Sequence, residues 1–107
     1  MKRITQSLLQ NATERIVRLS QPTRIYLYGS HAYGEPNDNS DIDILVVLKE
    51  SSEPPHKRAV SIYTALRGLF APFEVKVDTQ KEFEKRSQWL SSVERVVVEK
   101  GRLLYES

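Results

Sequence analysis

Two β-type segments separated by a polar loop place the strongest constraint on how this chain folds. Thr23–Tyr28 (TRIYLY) is rich in β-branched and aromatic residues and alternates along its length, which predicts a strand. Asp41–Leu48 (DIDILVVL) alternates at its start and is continuously apolar at its end, which predicts a central strand covered on both faces. Residues 29–40 between them are dense in turn-forming residues, so we expect a polar loop that reverses the chain.

Apolar residues recur at helical spacing before and after these strands. A first amphipathic helix is predicted over residues 3–19 from Ile4, Leu8, Ala12, Ile16 and Leu19. A second long helix is predicted from Ala59, Ile62, Tyr63, Leu66 and Phe70. A last helix is predicted around Val93, Val96 and Val97, with Gly101 as its left-handed cap.

The remaining segments complete the predicted order of elements. Residues 73–78 (FEVKVD) alternate strictly and predict a third strand, while residues 80–88 are charged and predict a short helix or irregular structure. Leu103–Tyr105 is a candidate final strand. This order predicts an α/β (α+β) domain in which helices flank one small mixed sheet.

Length and composition limit the classes of protein that fit. A chain of 107 residues fits a single domain, residues 1–107, with one hydrophobic core. It contains no cysteine, which excludes a disulfide framework, a thiol nucleophile and a thiolate zinc site. The longest apolar run, Ile44–Leu48, is too short to span a membrane, and we expect a cytoplasmic protein.

Charge is distributed unevenly along the chain, although the net charge is only +2. Residues 1–24 hold five basic residues against one acidic residue, while residues 35–53 hold six acidic residues against one basic residue. The acidic stretch is either a solvated loop or a cation site. The basic first helix leaves nucleic-acid binding open as a weaker hypothesis, because no aromatic–basic pattern accompanies it.

The segment from Gly29 to Val46 combines two features that suit a metal–nucleotide site. Gly29-Ser30 follows a predicted strand, where a glycine and a hydroxyl allow main-chain N–H groups to approach phosphate oxygens. Asp41 and Asp43 are two residues apart at the start of the next strand, so both carboxylates share one face. Mg²⁺ prefers one or two carboxylates completed by substrate phosphates.

These residues resemble the minimal nucleotidyltransferases of the DNA polymerase β-like superfamily. The signature of that group is Gly-Ser, ten residues, then Asp-x-Asp, and this chain has Gly29-Ser30, residues 31–40, then Asp41-Ile42-Asp43. Ala32 and Gly34 also match the smaller pattern GSxAxG. The tail VERVVVEKGRLLY is similar to the ending of these short proteins.

The resemblance implies a fold, an activity and a partner. It implies the minimal polymerase β-like nucleotidyltransferase fold, with two Mg²⁺ ions bound through Asp41 and Asp43 and the phosphates of ATP held by Gly29 and Ser30. It implies an antitoxin that transfers AMP to a hydroxyl, usually of tyrosine, on a HEPN toxin, with nucleic acid not the direct substrate. An alternative is an antitoxin that neutralises its toxin by binding alone.

The third carboxylate of that group has two candidates here. Glu74 and Asp78 share one face of the predicted third strand. The family pattern, counted back from Thr79, favours Glu74 as a metal ligand and catalytic residue, although the family usually has aspartate there. Lys76 also departs from the apolar strand that the family pattern expects.

Four other residues near the motif carry weaker hypotheses. His31 is either a surface residue or a phosphate contact. Tyr26, Tyr28 and Tyr33 either pack in the core and at its rim or stack on a base.

Overall fold

The computed structural model describes residues 5–36 and 40–107. Within them the elements are α1 (Gln6–Ser20), β1 (Arg24–Tyr28), α2 (Ser30–Tyr33), β2 (Ile42–Leu48), α3 (Pro55–Arg58), α4 (Val60–Ala65), β3 (Phe73–Thr79), α5 (Gln80–Arg86), α6 (Val93–Lys100) and β4 (Arg102–Glu106). The predicted mixed α/β class is confirmed. Among the residues described, no helix combines the length and apolar character needed to cross a membrane.

The strands form one mixed sheet in the order β3-β2-β1-β4. β1 pairs antiparallel with β2 on one side and with β4 on the other, while β2 and β3 are parallel. In this register Tyr28, Asp43 and Glu74 are neighbours on three adjacent strands. Residues in register point to the same face of a sheet, so the end of β1 and the starts of β2 and β3 present one shared surface.

Helices cover both faces of the sheet, so β2 is buried on both sides, as predicted. The core on one face is built from β2, α1 and α4, and includes Ile42, Ile44, Val46, Leu9, Ala12, Ile16 and Ile62. The smaller core on the other face is built from β2, α5 and α6: Leu45, Val47, Phe83 and Val97. Asp43 alternates with Leu45 and Val47, so its carboxylate lies on the face with the smaller core.

Helix α1 has a well-defined cap at each end. The N–H of Leu8 donates to Thr5 Oγ1 over 3.1 Å, which satisfies one of the helix's unpaired N–H groups. At the other end Gln21 has a φ of 49°, and its N–H donates to the carbonyl of Val17. The amphipathic helix predicted over residues 3–19 is therefore confirmed, although its first two residues lie outside the described part of the chain.

The second long helix, predicted from Ala59 to Phe70, is wrong. Within this segment only α4 (Val60–Ala65) is α-helical, and Arg15 Nη1 donates to the carbonyls of Ala65 and Arg67 at its end, over 3.1 Å and 2.8 Å. These carbonyls are satisfied from α1 rather than by further helix. Phe70 has a φ of 53° and is 96% exposed, so it does not belong to the apolar face that its spacing suggested.

The predicted left-handed cap at Gly101 is also wrong. Gly101 has a φ of −69° and a ψ of 164°, an extended conformation that leads directly into β4. Its N–H donates to the carbonyl of Val97 over 2.8 Å, and a Cβ atom there would lie 2.6 Å from that carbonyl oxygen. Glycine is required here by close approach to α6 rather than by a positive φ.

A buried arginine joins α3 to the start of α5. Arg58 is 7% exposed and donates through Nη1 and Nη2 to the two carboxylate oxygens of Glu82, over 2.6 Å and 3.2 Å. Glu82 also accepts from the N–H of Thr79, and Thr79 Oγ1 accepts from the N–H of Glu82, which forms a capping box. The hydrogen bond from Arg58 lowers the pKa of Glu82 to about 2.

Replacing Glu82 tests how strongly its ion pair with Arg58 holds α5 against α3. Glu82→Ala is expected to lower the free energy of unfolding by about 2 kcal/mol, because the Arg58 charge is left buried without its partner. Urea denaturation followed by circular dichroism measures the change. Glu84→Ala, at an exposed position on the same helix, is the matched control and should change stability by less than about 0.5 kcal/mol. Equal effects of the two substitutions would contradict the prediction.

Candidate active site

The turn after β1 brings the main chain against Asp43. Gly29 follows Tyr28 and has a φ of 75° and a ψ of −159°, a conformation that favours glycine. A Cβ atom at residue 29 would collide with Asp43 Oδ2. The backbone conformation and the neighbouring carboxylate therefore both exclude a side chain at this position.

A short helix replaces the first part of the polar loop predicted over residues 29–40. The N–H of Ala32 donates to the carbonyl of Gly29, and the N–H of Gly34 donates to the carbonyl of Ser30, each over 3.0 Å. Ser30 is thus the first residue of α2, directly after the strand. The first N–H groups of a helix have no acceptor within it, which suits a position next to phosphate oxygens.

His31 of α2 connects the two ends of this segment. Its Nε2 atom lies 3.2 Å from the carbonyl oxygen of Ser40, and the ring is close enough to Asp43 to interact with that carboxylate. His31 therefore belongs to the site. A single histidine beside Gly-Ser has no periodicity or spacing that could have distinguished it from a surface residue. Residues 37–39, including Asp38 of the acidic stretch, lie outside the described residues.

Three carboxylates lie near the starts of β2 and β3. Asp43 on β2 is in register with Glu74 on β3, and Asp41 immediately precedes β2. Burial raises the pKa of Asp43, and repulsion from Asp41 and then from Glu74 raises it further. A bound cation relieves the repulsion between neighbouring carboxylates. The arrangement is therefore suited to a positively charged ligand.

Comparison with known proteins identifies the family. The model of the nucleotidyltransferase domain family matches residues 9–104. The chain belongs to the nucleotidyltransferase domain family. A protein of Methanocaldococcus jannaschii named "Putative protein adenylyltransferase" is 32% identical over 83 residues, which is 77% of this chain and 77% of that protein.

The fold of this nucleotidyltransferase domain is also found in a solved structure. A crystal structure from Sulfolobus solfataricus, described as a "putative nucleotidyltransferase", aligns with a TM-score of 0.63 and 24% sequence identity. The alignment covers 94% of this chain and 81% of that chain. The nucleotidyltransferase fold expected from the motif is therefore confirmed.

Membership of the family implies a nucleoside triphosphate substrate and usually a divalent metal ion. The side chains of Asp41, Asp43 and Glu74 are the hard oxygen ligands that Mg²⁺ prefers. In residues 5–36 and 40–107, no three His, Cys, Asp or Glu side chains form a group that could hold a metal ion by itself. The observation that fits a cation here is the repulsion from Asp41 and Glu74 that adds to the effect of burial on the pKa of Asp43. Mg²⁺ usually takes one or two protein carboxylates, and substrate phosphates and water complete its coordination.

The structure separates the two candidates for the third carboxylate. Glu74 is exposed and lies beside Asp43. Asp78 is four residues further along β3, in register with Val47, and only 1% of its side chain is exposed. Arg86 Nη1 donates to Asp78 Oδ1 over 3.2 Å. The structure therefore places Glu74, and not Asp78, beside Asp43.

Asp78 instead belongs to a buried polar cluster with Glu94 of α6. The Glu94 side chain is 3% exposed, and Lys76 Nζ lies 3.6 Å from its Oε2 atom. Burial and a hydrogen bond with Glu94 raise the pKa of Asp78 to about 7. Burial opposes ionisation of Glu94, but the hydrogen bond with Asp78 holds the pKa of Glu94 below its usual value. Within the part of the chain that the structure describes, Asp78 Oδ2 and Glu94 Oε2 are both buried without a hydrogen-bond donor, and one proton shared between the two carboxyl groups would satisfy both atoms.

Glu94 was missed by sequence reasoning, and Lys76 was misjudged. Glu94 sits in the first turn of an amphipathic helix, where an acidic residue is ordinarily solvated and favourable to the helix dipole. Lys76 appeared to interrupt an apolar strand, but it lies on the same face as Glu74 and Asp78, where it pairs with Glu94. Only the packing of α6 against the sheet reveals either partner.

The three tyrosines near the motif have different surroundings. Tyr26 stacks on Phe83, with ring centroids 5.5 Å apart and planes inclined by 17°, so it is a core residue and does not stack on a base. Tyr28 is half-buried, and burial followed by the charge of Asp43 raises its pKa. Tyr33 is 45% exposed, and Lys100 Nζ lies 5.9 Å from its ring centroid.

Substitution of two glycines tests the close approach of Gly29 to Asp43. Gly29→Ala is expected to lower nucleotidyl transfer by at least about 100-fold, because the new methyl group displaces the Asp43 carboxylate. Gly68→Ala is the matched control, since Gly68 has a φ of 91° but open space where its Cβ would lie. Both variants should lose about 1–2 kcal/mol of stability through backbone strain. Pyrophosphate release measures activity, and a similar loss in both variants would contradict the prediction.

The shared proton predicts how stability depends on pH. Because Asp78 has a raised pKa when folded, its contribution to stability is present below its unfolded pKa and is lost as pH rises through about 7. Between about pH 4 and pH 7, the free energy of unfolding should therefore fall by up to about 1.4 kcal/mol per pH unit. Asp78→Asn should remove this slope and be more stable than the parent at pH 8. Parallel pH profiles from urea denaturation of the two proteins would refute the shared proton.

Proposed function

We propose that this chain transfers AMP from ATP to a hydroxyl group, that of a tyrosine, on a partner toxin of the HEPN family, and that it acts as the antitoxin. The observation that carries the proposal is the placement of Asp43 beside Glu74 and against the Gly29 turn. The relative named "Putative protein adenylyltransferase" supports a protein acceptor. The resemblance of the motif to minimal nucleotidyltransferases supports a HEPN toxin as that acceptor.

Each group of the site has a distinct role in this proposal. Gly29 and Ser30 bind the β- and γ-phosphates of ATP through main-chain N–H groups and the serine hydroxyl. Asp41, Asp43 and Glu74 would hold Mg²⁺, which would supply neutralisation of phosphate charge and favour ionisation of the acceptor hydroxyl.

The transfer itself needs little covalent chemistry from the protein. The tyrosine oxygen forms a bond to the α-phosphorus of ATP, the bond from that phosphorus to the β-bridging oxygen breaks, and pyrophosphate leaves with the electron pair. The hydroxyl proton passes to solvent. Glu74 orients the acceptor hydroxyl, and the Gly29-Ser30 turn keeps the leaving phosphates in line with it. Positioning and charge neutralisation therefore provide most of the rate enhancement.

A second candidate function is neutralisation of the toxin by binding alone. One observation favours it: Glu74 stands where the family usually has aspartate. A longer side chain places its oxygens differently, so the same fold would retain a partner surface with a weakened metal site. This candidate predicts neutralisation without any transfer of label.

Removal of both site aspartates tests the catalytic proposal. The chain is incubated with Mg²⁺, a HEPN protein from the same genome and ATP labelled at the α-phosphate. Asp41→Ala combined with Asp43→Ala is expected to reduce labelling of the HEPN protein by at least about 1000-fold, because the ligands for the metal ions are lost. Glu50→Ala is the control, since Glu50 is an exposed acidic residue outside the site.

Two further readouts separate the candidates. ATP labelled at the γ-phosphate should leave the HEPN protein unlabelled, because pyrophosphate departs. In cells that express the toxin, the double alanine variant should fail to restore growth. Full neutralisation by that variant, together with no label transfer by the parent, would reject catalysis and establish neutralisation by binding.

A further inference from the structure

An apolar patch lies on the loop that leads from α4 into the start of β3. The patch, called the apolar rim below, lines an open cavity of about 360 Å³ and consists of Tyr63, Leu66, Phe70, Ala71, Pro72 and Phe73. Phe70 is 96% exposed and Tyr63 is 40% exposed. Single exposed apolar residues are ordinary, but aromatic rings grouped around a cavity mark a surface that is stabilised when a partner covers it.

A strained main chain holds Phe70 outward. Its φ of 53° is uncommon for a bulky residue, and Gly68, two residues earlier, has a φ of 91°. The loop is fixed on both sides, because Arg15 Nη1 donates to two carbonyls at the end of α4 and the N–H of Ile42 donates to the carbonyl of Pro72 over 2.7 Å. An aromatic ring on a fixed main chain loses little conformational entropy on binding, which suits an anchor.

The apolar rim adjoins the carboxylates of the candidate site. Phe73 immediately precedes Glu74, and Glu74 is in register with Asp43 on β2. Tyr63 Oη accepts from the N–H of Val75 over 2.8 Å, so the Tyr63 side chain reaches the free edge of β3 next to Glu74. The rim is therefore continuous with the place where Glu74 would orient the acceptor hydroxyl.

The rim lies on the acceptor side of the site rather than on the side of the phosphate-binding turn. Gly29 follows β1 and Glu74 lies on β3, and these two strands flank β2 from opposite sides. Neighbouring strands are about 4.8 Å apart, so β1 and β3 are separated by about 10 Å. This order favours an occupant that arrives with the acceptor hydroxyl over the nucleotide.

The size of protein interfaces predicts that a protein acceptor covers the rim. Each partner of a stable complex buries about 800 Å², which corresponds to a circular patch with a radius of about 16 Å. Phe70 is four residues before Glu74, and a chain of that length spans at most about 14 Å. A protein that brings its hydroxyl to Glu74 therefore also covers Phe70.

We propose that the apolar rim docks the acceptor protein, and that the Phe70 ring is an anchor that enters an apolar pocket beside the target hydroxyl of that protein. The inference rests on the proposed transfer to a protein hydroxyl. Phe70 determines which protein is held at the site, and it does not touch the reacting atoms.

Binding of the acceptor without ATP tests the rim independently of catalysis. Phe70→Asn removes the ring but introduces a residue that readily adopts a positive φ, so the loop keeps its shape. Biolayer interferometry with the immobilised HEPN protein should give a Kd at least about tenfold above that of the parent chain. Phe70→Leu keeps an apolar side chain and should raise Kd by less than about threefold.

Leu19→Asn is the matched control for loss of exposed apolar surface. Leu19 is 47% exposed and lies in the last turn of α1, which precedes the start of β1, whereas the candidate site follows the end of β1. The Kd of this variant should stay within about twofold of the parent value. Both asparagine variants should melt within about 5 °C of the parent in circular dichroism, because both positions are exposed.

Steady-state transfer distinguishes docking from chemistry. With ATP labelled at the α-phosphate, Phe70→Asn should raise KM for the HEPN protein about tenfold and change kcat by less than about twofold, since the ring binds ground state and transition state equally. Its affinity for ATP, measured on the chain alone, should stay within about twofold of the parent. Asp41→Ala combined with Asp43→Ala should instead lose label transfer and keep a Kd for the HEPN protein within about threefold of the parent.

Several results would overturn the assignment of Phe70. They are no complex between the parent chain and the HEPN protein, equal effects of Phe70→Asn and Leu19→Asn on Kd, weaker ATP binding by Phe70→Asn, or self-association of the chain that this variant abolishes. Label transfer that Phe70→Asn leaves unchanged at low HEPN concentration would reject the docking site and leave the proposed function intact. Phe70-dependent binding without label transfer by the parent would retain the docking site and reject the catalytic proposal.

Discussion

The site depends on the close approach of one strand's end to a carboxylate of the next strand. Gly29 has no side chain, so the turn after β1 passes directly against Asp43. The antiparallel pairing of β1 with β2 creates that approach, and the parallel pairing of β2 with β3 then places Glu74 on the other side of Asp43. A shift of one residue in either register would turn the affected side chains to the opposite face and disperse the carboxylates.

Negatively charged side chains on this face of the sheet have different surroundings at its two ends. At the open end, Asp41, Asp43 and Glu74 repel one another near solvent, and this repulsion favours a bound cation. At the covered end, Asp78 and Glu94 are buried where α5 and α6 pack on the sheet, Arg86 and Lys76 pair with them, and burial raises the pKa of Asp78. Exposure explains the difference, because a solvent-accessible cluster can exchange ions whereas a buried one requires permanent partners.

Sequence-based prediction succeeded where the local spacing of apolar residues matches the face that each element buries in the fold. The first helix and the strands are bounded by clear caps or turns, and their alternation matches the faces they bury. Prediction failed where a side chain from another element makes the hydrogen bonds of the main chain. Arg15 of α1, for example, donates to the carbonyls at the end of α4. Glu94 and His31 were missed or undervalued for the same reason. Their partners, Asp78 and Asp43, are distant in sequence and become neighbours only through packing.

The sequence by itself determined the order of the strands and of the first and last helices, the Gly-Ser turn and the paired aspartates, because each of these is a local pattern with a fixed chemical meaning. It also limited the third carboxylate to Glu74 or Asp78. Only the tertiary structure decided between them, since both residues lie on the same strand face and differ in what covers that face. Helices α5 and α6 bury Asp78 with Arg86 and Glu94, whereas Glu74 remains open beside Asp43. Burial of that kind arises from long-range packing, which no local spacing of residues encodes.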